Sequence, residues 1–114
     1  MNSFEVRGGN KLHGSIVPQG AKNEALQILC AVLLTEDPVT ISNIPDILDV
    51  NLLIELLYEM GVQVDKKDNH TYTFTAKNVN ENYLASAAFR KKGGRLRGSV
   101  MLAGPMLARF KKAY

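Results

Sequence analysis

The feature that most restricts the fold of this chain is an apolar stretch, residues 26–34, which only Gln27 interrupts. If residues 21–35 form a helix, apolar side chains lie on nearly every side of it after the first turn. Such a helix has to be covered by other elements over most of its surface. The stretch is too short to cross a bilayer, so it predicts a buried helix in a folded domain rather than a membrane span.

Short alternating segments surround this helix. Residues 4–6 and 11–17 alternate polar and apolar side chains, which predicts two opening strands, and residues 39–44 predict a third. A second helix is expected to begin at Pro45-Asp46 and to end before Gly61. Its first turn resembles a capping box, in which Asp46 and Asp49 would satisfy free backbone N–H groups.

A β-hairpin is expected after the second helix. Residues 62–65 and 71–76 alternate on either side of a polar loop at residues 66–70. The candidates for its inner face are Val62, Val64, Tyr72 and Phe74. The order strand, helix, strand, helix and hairpin describes one supersecondary unit, and the predicted fold class is small α/β or α+β.

The last part of the chain is strongly basic. Residues 90–114 contain 8 Lys or Arg and no Asp or Glu, whereas residues 1–89 contain 6 Lys or Arg and 11 Asp or Glu. We expect a basic turn at residues 91–94, then a third helix from Leu96 to Phe110 with a kink at Gly104-Pro105. The basic block could contact nucleic acid, a phosphorylated small molecule, or only solvent.

Two places in the sequence are candidate anion sites. Lys22 and Asn23 follow a Pro-Gln-Gly loop at the start of the first helix, where free backbone N–H groups and the helix dipole favour an anion. Arg97 is predicted at the start of the third helix, where a guanidinium group can bind a phosphate or carboxylate bidentately. Spacing alone also fits solvated first-turn residues.

Other reactive side chains have simpler interpretations. Cys30 lies among apolar residues of the first helix, which predicts a small core residue rather than a nucleophile. His13 and His70 have no partners at metal-ligand spacing, so no metal site is expected. The single cysteine and the absence of a signal-peptide pattern at the N-terminus lead us to expect a cytoplasmic protein.

Taken together, these segments resemble the opening of the UDP-N-acetylglucosamine 1-carboxyvinyltransferase family of enolpyruvyl transferases. The resemblance spans essentially the whole chain, in order and spacing. It is carried by Gly20-Ala21-Lys22-Asn23-Glu24-Ala25-Leu26, Val39-Thr40-Ile41-Ser42-Asn43-Ile44-Pro45, Asp49-Val50, Met60-Gly61, Leu96-Arg97-Gly98-Ser99 and Ala103-Gly104-Pro105-Met106-Leu107-Ala108-Arg109-Phe110. The related shikimate-pathway enzyme typically has Lys-Ser where this chain has Lys22-Asn23, which favours the UDP-sugar branch.

The resemblance implies a specific reaction. Members of the family move the enolpyruvyl group of phosphoenolpyruvate onto the 3′-hydroxyl of UDP-N-acetylglucosamine, the first committed step of peptidoglycan synthesis, and use no metal or organic cofactor. By the same resemblance, Lys22 and Asn23 bind phosphoenolpyruvate and Arg97 contacts the nucleotide sugar. Small molecules are therefore the expected partners, rather than nucleic acid or a membrane.

The resemblance also implies an incomplete domain. Family members close two domains built from repeated βαβαββ units, an inside-out α/β barrel, around a cleft. Here residues 1–20 would supply opening strands, residues 21–76 the first unit, and residues 77–114 a connector and the start of the next. The general acid, a Cys or Asp in a Pro-Gly-Gly segment, is expected beyond Tyr114, so we expect no turnover by this chain alone.

Two alternatives remain open from the sequence. The chain could belong to another enolpyruvyl transferase, of the shikimate type. It could instead be a binding module without enzymatic activity that contacts anions or nucleic acid through the basic segment from Arg90 to Lys112. One departure from the family pattern also stands at the C-terminal end, where Lys111 occupies a position that is usually glycine.

Overall fold

The computed structural model describes residues 2–80, 82–93 and 102–111. None of the helices in these ranges is long and apolar enough to cross a membrane. Short 3-10 turns lie at Val32–Leu34 and Tyr83–Ala85. The regular elements are helices α1 (Lys22–Ala31), α2 (Leu48–Glu59), α3 (Ala87–Gly93) and α4 (Ala103–Phe110), and strands β1 (Val39–Ile41), β2 (Gln63–Asp68) and β3 (Thr71–Thr75).

The three strands form an antiparallel sheet in the order β1-β3-β2. Phe74 in the central strand pairs with Val39 on one side and Val64 on the other, so three apolar side chains line the inner face. Phe74 is fully buried there. On the outer face, the hydroxyl groups of Thr40 and Thr73 lie 2.8 Å apart. This alternation confirms the inner face predicted for the hairpin.

Two strands differ in length from the sequence prediction. β2 runs to Asp68 rather than to residue 65, with a bulge between Lys66 and Asp68. It is an edge strand, and polar side chains can extend such a strand because they stay in solvent. β1 ends at Ile41 because Asn43 adopts a left-handed conformation, with φ 57°, which a strand cannot continue.

α1 packs against α2 through one face, on which Ala25, Leu26, Leu29 and Cys30 are buried. The helix is shorter than predicted, and its last turn tightens into the 3-10 turn Val32–Leu34. The expectation that it is covered on nearly every side is wrong for this chain, because Ile28 is 40% exposed and Leu34 53% exposed. Among the described elements, α2 covers the buried face of α1.

The two predicted opening strands are not formed. Residues 2–19 are exposed and contain no strand. A strand is stable when a neighbouring strand takes up its backbone N–H and C=O groups. Within the described part of the chain, no strand lies beside residues 4–6 or 11–17. The division of the chain at residues 20 and 76 into parts of a larger enzyme stays a prediction.

The capping box predicted for α2 is also wrong. The residue that precedes the helix is Ile47, and no side chain caps its N-terminus. Asp46 instead accepts a hydrogen bond from the side chain of Asn51 at 2.9 Å. Asp49 lies inside the first turn and pairs with Lys22. Because both carboxylates are engaged by other side chains, they do not reach the free backbone N–H groups.

The C-terminal elements correct the prediction for the third helix. Residues 91–93 belong to α3 rather than to a basic turn. The predicted start at Leu96 lies outside the described residues. Pro105 is in the first turn of α4, where its missing N–H costs no hydrogen bond, and the predicted kink stays a prediction because residues 94–101 lie outside the described ranges. Lys111 ends α4 with φ 61°, a conformation that glycine adopts at less cost.

Arg109 connects α4 to the 3-10 turn that follows α1 and to the residues just after that turn. Its guanidinium group donates to the backbone oxygens of Leu33 at 2.9 Å and Thr35 at 3.4 Å, and it pairs with Glu36 at 3.3 Å. The side chain is only 13% exposed. The guanidinium group thus satisfies backbone carbonyl groups that the end of the 3-10 turn leaves free.

We expect Arg109→Gln to lower the free energy of unfolding by about 1–2 kcal/mol, because carbonyl oxygens would lose charged donors. Urea denaturation of the 114-residue chain measures this change. Arg90→Gln is the matched control, since Arg90 is exposed on α3, and its effect should stay within about 0.5 kcal/mol. Equal stability of the two variants would contradict the anchoring role of Arg109.

Candidate anion-binding site

The N-terminus of α1 is open toward solvent. Ala21 precedes the helix in an extended conformation and has no side chain that could cap it. Its carbonyl oxygen accepts the first helical hydrogen bond, from the N–H of Ala25 at 3.0 Å. The backbone N–H groups of Lys22, Asn23 and Glu24 therefore lie ahead of the helical hydrogen-bond pattern. Together with the helix dipole they favour a negative charge at this end.

Gly20 fixes where this helix end lies. A Cβ atom at position 20 would be 1.9 Å from the carbonyl oxygen of Asn43 and 3.2 Å from the ring of Pro45. Only glycine allows the backbone before α1 to approach so closely the segment that follows β1. The N-terminus of α1 is thus placed beside the chain that leads into α2.

Lys22 and Asp49 connect the first turns of α1 and α2. The Nζ atom of Lys22 lies 2.6 Å from Oδ2 of Asp49, and the two side chains are 50% and 31% exposed. The sequence prediction assigned Asp49 to a cap and missed this contact. The missed signal is the distribution of charge, because a lysine at one helix start and an aspartate at the next can pair when the two helices pack side by side.

The other predicted site residues are placed differently. Asn23 is exposed in the first turn of α1, next to Lys22. Arg97 lies outside the described residues, so its position relative to Lys22 and Asn23 stays a prediction. A cleft beside the start of α1 is lined by residues 20–21, 24–25, 28 and 41–44. Lys22 and Asn23 do not line this cleft.

The core position predicted for Cys30 is confirmed. Cys30 is buried, and burial raises the pKa of its thiol to about 12, so the thiol is protonated at neutral pH. Nδ1 of His70 lies 2.8 Å from the carbonyl oxygen of Ile44, and His13 is exposed. Among the described residues, no three His, Cys, Asp or Glu side chains are grouped so that they could hold a metal ion.

The described basic residues do not form one continuous free surface. Arg90 and Lys91 are exposed on α3. Arg109 is instead partly buried against the backbone of Leu33 and Thr35 and paired with Glu36. Its guanidinium group also lies over the ring of Phe110, 4.8 Å from the ring centre. This residue serves the fold rather than a nucleic-acid surface.

An open, lysine-bearing helix N-terminus on an α/β unit favours a small anion at that end. The chain belongs to the EPSP synthase (3-phosphoshikimate 1-carboxyvinyltransferase) family, whose sequence profile matches residues 6–114. A crystal structure of the enolpyruvyl transferase NikO from Streptomyces tendae is similar, with a TM-score of 0.66, 25% identity, and coverage of 90% of this chain and 23% of that one. The predicted mixed α/β class is thereby confirmed.

The curated relatives indicate one group of enzymes within this family. The chain is 62% identical over 113 residues to the UDP-N-acetylglucosamine 1-carboxyvinyltransferase of Bacteroides thetaiotaomicron. The aligned region covers 99% of the chain and 26% of the relative. It is 54% identical over 110 residues to the enzyme of that name from Porphyromonas gingivalis, and this aligned region covers 96% of the chain and 25% of the relative. The resemblance to this group is confirmed. The chain spans about a quarter of the length of these relatives.

Proposed function

We propose that this chain forms part of an enzyme that transfers the enolpyruvyl group of phosphoenolpyruvate to the 3′-hydroxyl of UDP-N-acetylglucosamine. The observation that carries the proposal is the 62% identity to a relative of that name over nearly the whole chain. This transfer is the first committed step of peptidoglycan synthesis. We place it in the cytoplasm, because both substrates are phosphorylated metabolites of that compartment.

Lys22 and Asn23 are the proposed ligands of phosphoenolpyruvate. Both lie in the first turn of α1, where the backbone N–H groups face outward. The ammonium group, the side-chain amide and the helix end together would offset the charge of the phosphate and carboxylate groups. The same preorganised donors would stabilise charge that develops on the departing phosphate. Arg97 is proposed to bind the nucleotide sugar.

The proposed reaction proceeds by addition and elimination. The sugar hydroxyl loses its proton to a base as its oxygen adds to C2 of phosphoenolpyruvate, while a general acid protonates C3, which gives a tetrahedral intermediate. Loss of a proton from C3 and release of phosphate then leave the enolpyruvyl ether. The general acid is proposed to come from a segment outside these 114 residues, so this chain supplies binding groups rather than the proton.

The two alternatives are less well supported. The relatives named above carry the UDP-sugar name rather than the shikimate name, and the Lys22-Asn23 pair agrees with them. A nucleic-acid module would need its cations in solvent, but Arg109 is partly buried and paired with Glu36. Salt-sensitive filter binding of random RNA, with no response to UDP-N-acetylglucosamine, would favour the nucleic-acid alternative.

A chimera tests the proposed function. Residues 1–114 replace the matching quarter of the Bacteroides thetaiotaomicron relative, and phosphate release is measured with phosphoenolpyruvate and each acceptor. We expect turnover within about tenfold of the intact relative with UDP-N-acetylglucosamine, and none with shikimate 3-phosphate. A folded chimera without activity would show that this chain does not supply the substrate-binding part of such an enzyme.

A further inference from the structure

Lys22 lies at an unfavourable position for a cation. It is the first residue of α1, where the partial positive charge of the helix dipole is concentrated. Asp49 is the second residue of α2, where the dipole favours a carboxylate. The two groups meet at 2.6 Å. In the free protein, Asp49 therefore offsets the repulsion between the Lys22 ammonium group and its own helix end.

Stability alone does not explain this pair. Its side chains are 50% and 31% exposed, and exposed ion pairs contribute little because water screens them and two side chains lose freedom. Asp49 also makes no capping hydrogen bond to the backbone of α2. What the pair does accomplish is to hold a flexible lysine at one place beside the open end of α1.

We propose that Asp49 is a positioning residue, which holds the ammonium group of Lys22 ready for phosphoenolpyruvate; this inference rests on the function proposed above. An ammonium group has three N–H donors, so a bond to Asp49 leaves others for the incoming anion. A lysine that is already ordered loses less conformational entropy when the anion binds. Asp49 acts through Lys22 and does not react with the substrate.

The test is Asp49→Asn in the chimera, a change that keeps the shape of the side chain and removes its charge. We expect the KM for phosphoenolpyruvate to rise roughly fivefold to tenfold, because Lys22 becomes disordered before binding. The kcat should change less than about threefold and the KM for UDP-N-acetylglucosamine less than about twofold. The melting temperature should stay within about 5 °C of the parent.

Asp46→Asn is the matched control. Asp46 lies just before α2 and carries the same charge as Asp49, but its carboxylate bonds to Asn51 instead of Lys22. Its loss should leave the KM for phosphoenolpyruvate within about twofold of the parent. An equal rise of KM in the Asp46 and Asp49 variants would show a general charge effect and would overturn the positioning role.

A double-mutant cycle isolates the contact. Calorimetric titration of phosphoenolpyruvate, with UDP-N-acetylglucosamine present, should show that Asp49→Asn weakens binding in the parent but has no further effect when Lys22 is alanine. An equal loss in both backgrounds, or unchanged or tighter binding in the single Asp49 variant, would overturn the inference. Normal binding in the Lys22→Ala variant would instead overturn the proposed role of Lys22, and a folded parent chimera without activity would overturn the proposed function, so these failures are distinguishable.

Discussion

Replacing Lys22 by alanine in the chimera is expected to lower turnover at least about 100-fold, the loss that follows removal of one preorganised electrostatic contact. Lys22 is the full positive charge at the open end of α1, next to the free backbone N–H groups of its first turn. Steady-state phosphate release at saturating UDP-N-acetylglucosamine measures the effect. Near-normal kinetics would contradict the assignment of Lys22 to phosphoenolpyruvate.

Lys67→Ala is the control for this prediction. Lys67 is also paired with an aspartate, since its Nζ atom lies 2.8 Å from Asp65, and its side chain is 54% exposed. It lies in β2, away from the helix N-termini. Turnover should stay within about twofold of the parent. Comparing the two variants therefore shows whether turnover depends on the position of Lys22 or on the loss of any ion-paired lysine.

Replacing Gly61 by alanine is expected to lower the free energy of unfolding by about 3 kcal/mol or more. Gly61 has φ 104°, and a Cβ atom there would lie 2.4 Å from the carbonyl oxygen of Asn78. The left-handed backbone costs an L-residue about 1–2 kcal/mol, and moving the packed chain costs about 1–3 kcal/mol more. Urea denaturation of the 114-residue chain measures the loss.

Gly61 also completes the end of α2. Its N–H donates to the carbonyl oxygen of Tyr58 at 3.1 Å, and the N–H of Val62 donates to Leu57 at 3.0 Å, the two hydrogen bonds of a Schellman motif. Gly104→Ala is the control, because a Cβ atom there meets nothing within 4 Å and alanine favours a helix. That variant should gain up to about 1 kcal/mol. Unchanged stability in Gly61→Ala would contradict the strain at this turn.

Local rules predicted the parts of the fold that depend on neighbouring residues. Gly61 was predicted to end the second helix because glycine favours a left-handed backbone, and Phe74 was predicted on the inner face because the strand alternates. The errors concern partners that a local pattern does not contain. Residues 11–17 alternate like a strand, but no strand lies beside them in the described part of the chain, and Asp46 was assigned to a cap although it bonds to the side chain of Asn51.

The candidate site was also predicted only in part, because a local pattern locates a helix start but not its tertiary contacts. Lys22 and Asn23 could be located from the start of a helix, since free N–H groups at such ends are a general property. Asp49 was missed as a partner of Lys22 because the contact depends on how α1 packs against α2. The close approach of Gly20 to Asn43 is likewise a tertiary contact, and no local pattern around either residue predicts it.

Differential labelling of lysines in the chimera tests most directly the claim that the N-terminus of α1 binds phosphoenolpyruvate. An acylating reagent is applied with and without saturating phosphoenolpyruvate, and labelling of Lys22 and Lys67 is measured by mass spectrometry. The two lysines have similar exposure and each has an aspartate partner. We predict that phosphoenolpyruvate slows the labelling of Lys22 at least about fivefold and leaves Lys67 unchanged. Equal labelling rates of Lys22 with and without the ligand, in a chimera that turns over, would contradict the claim.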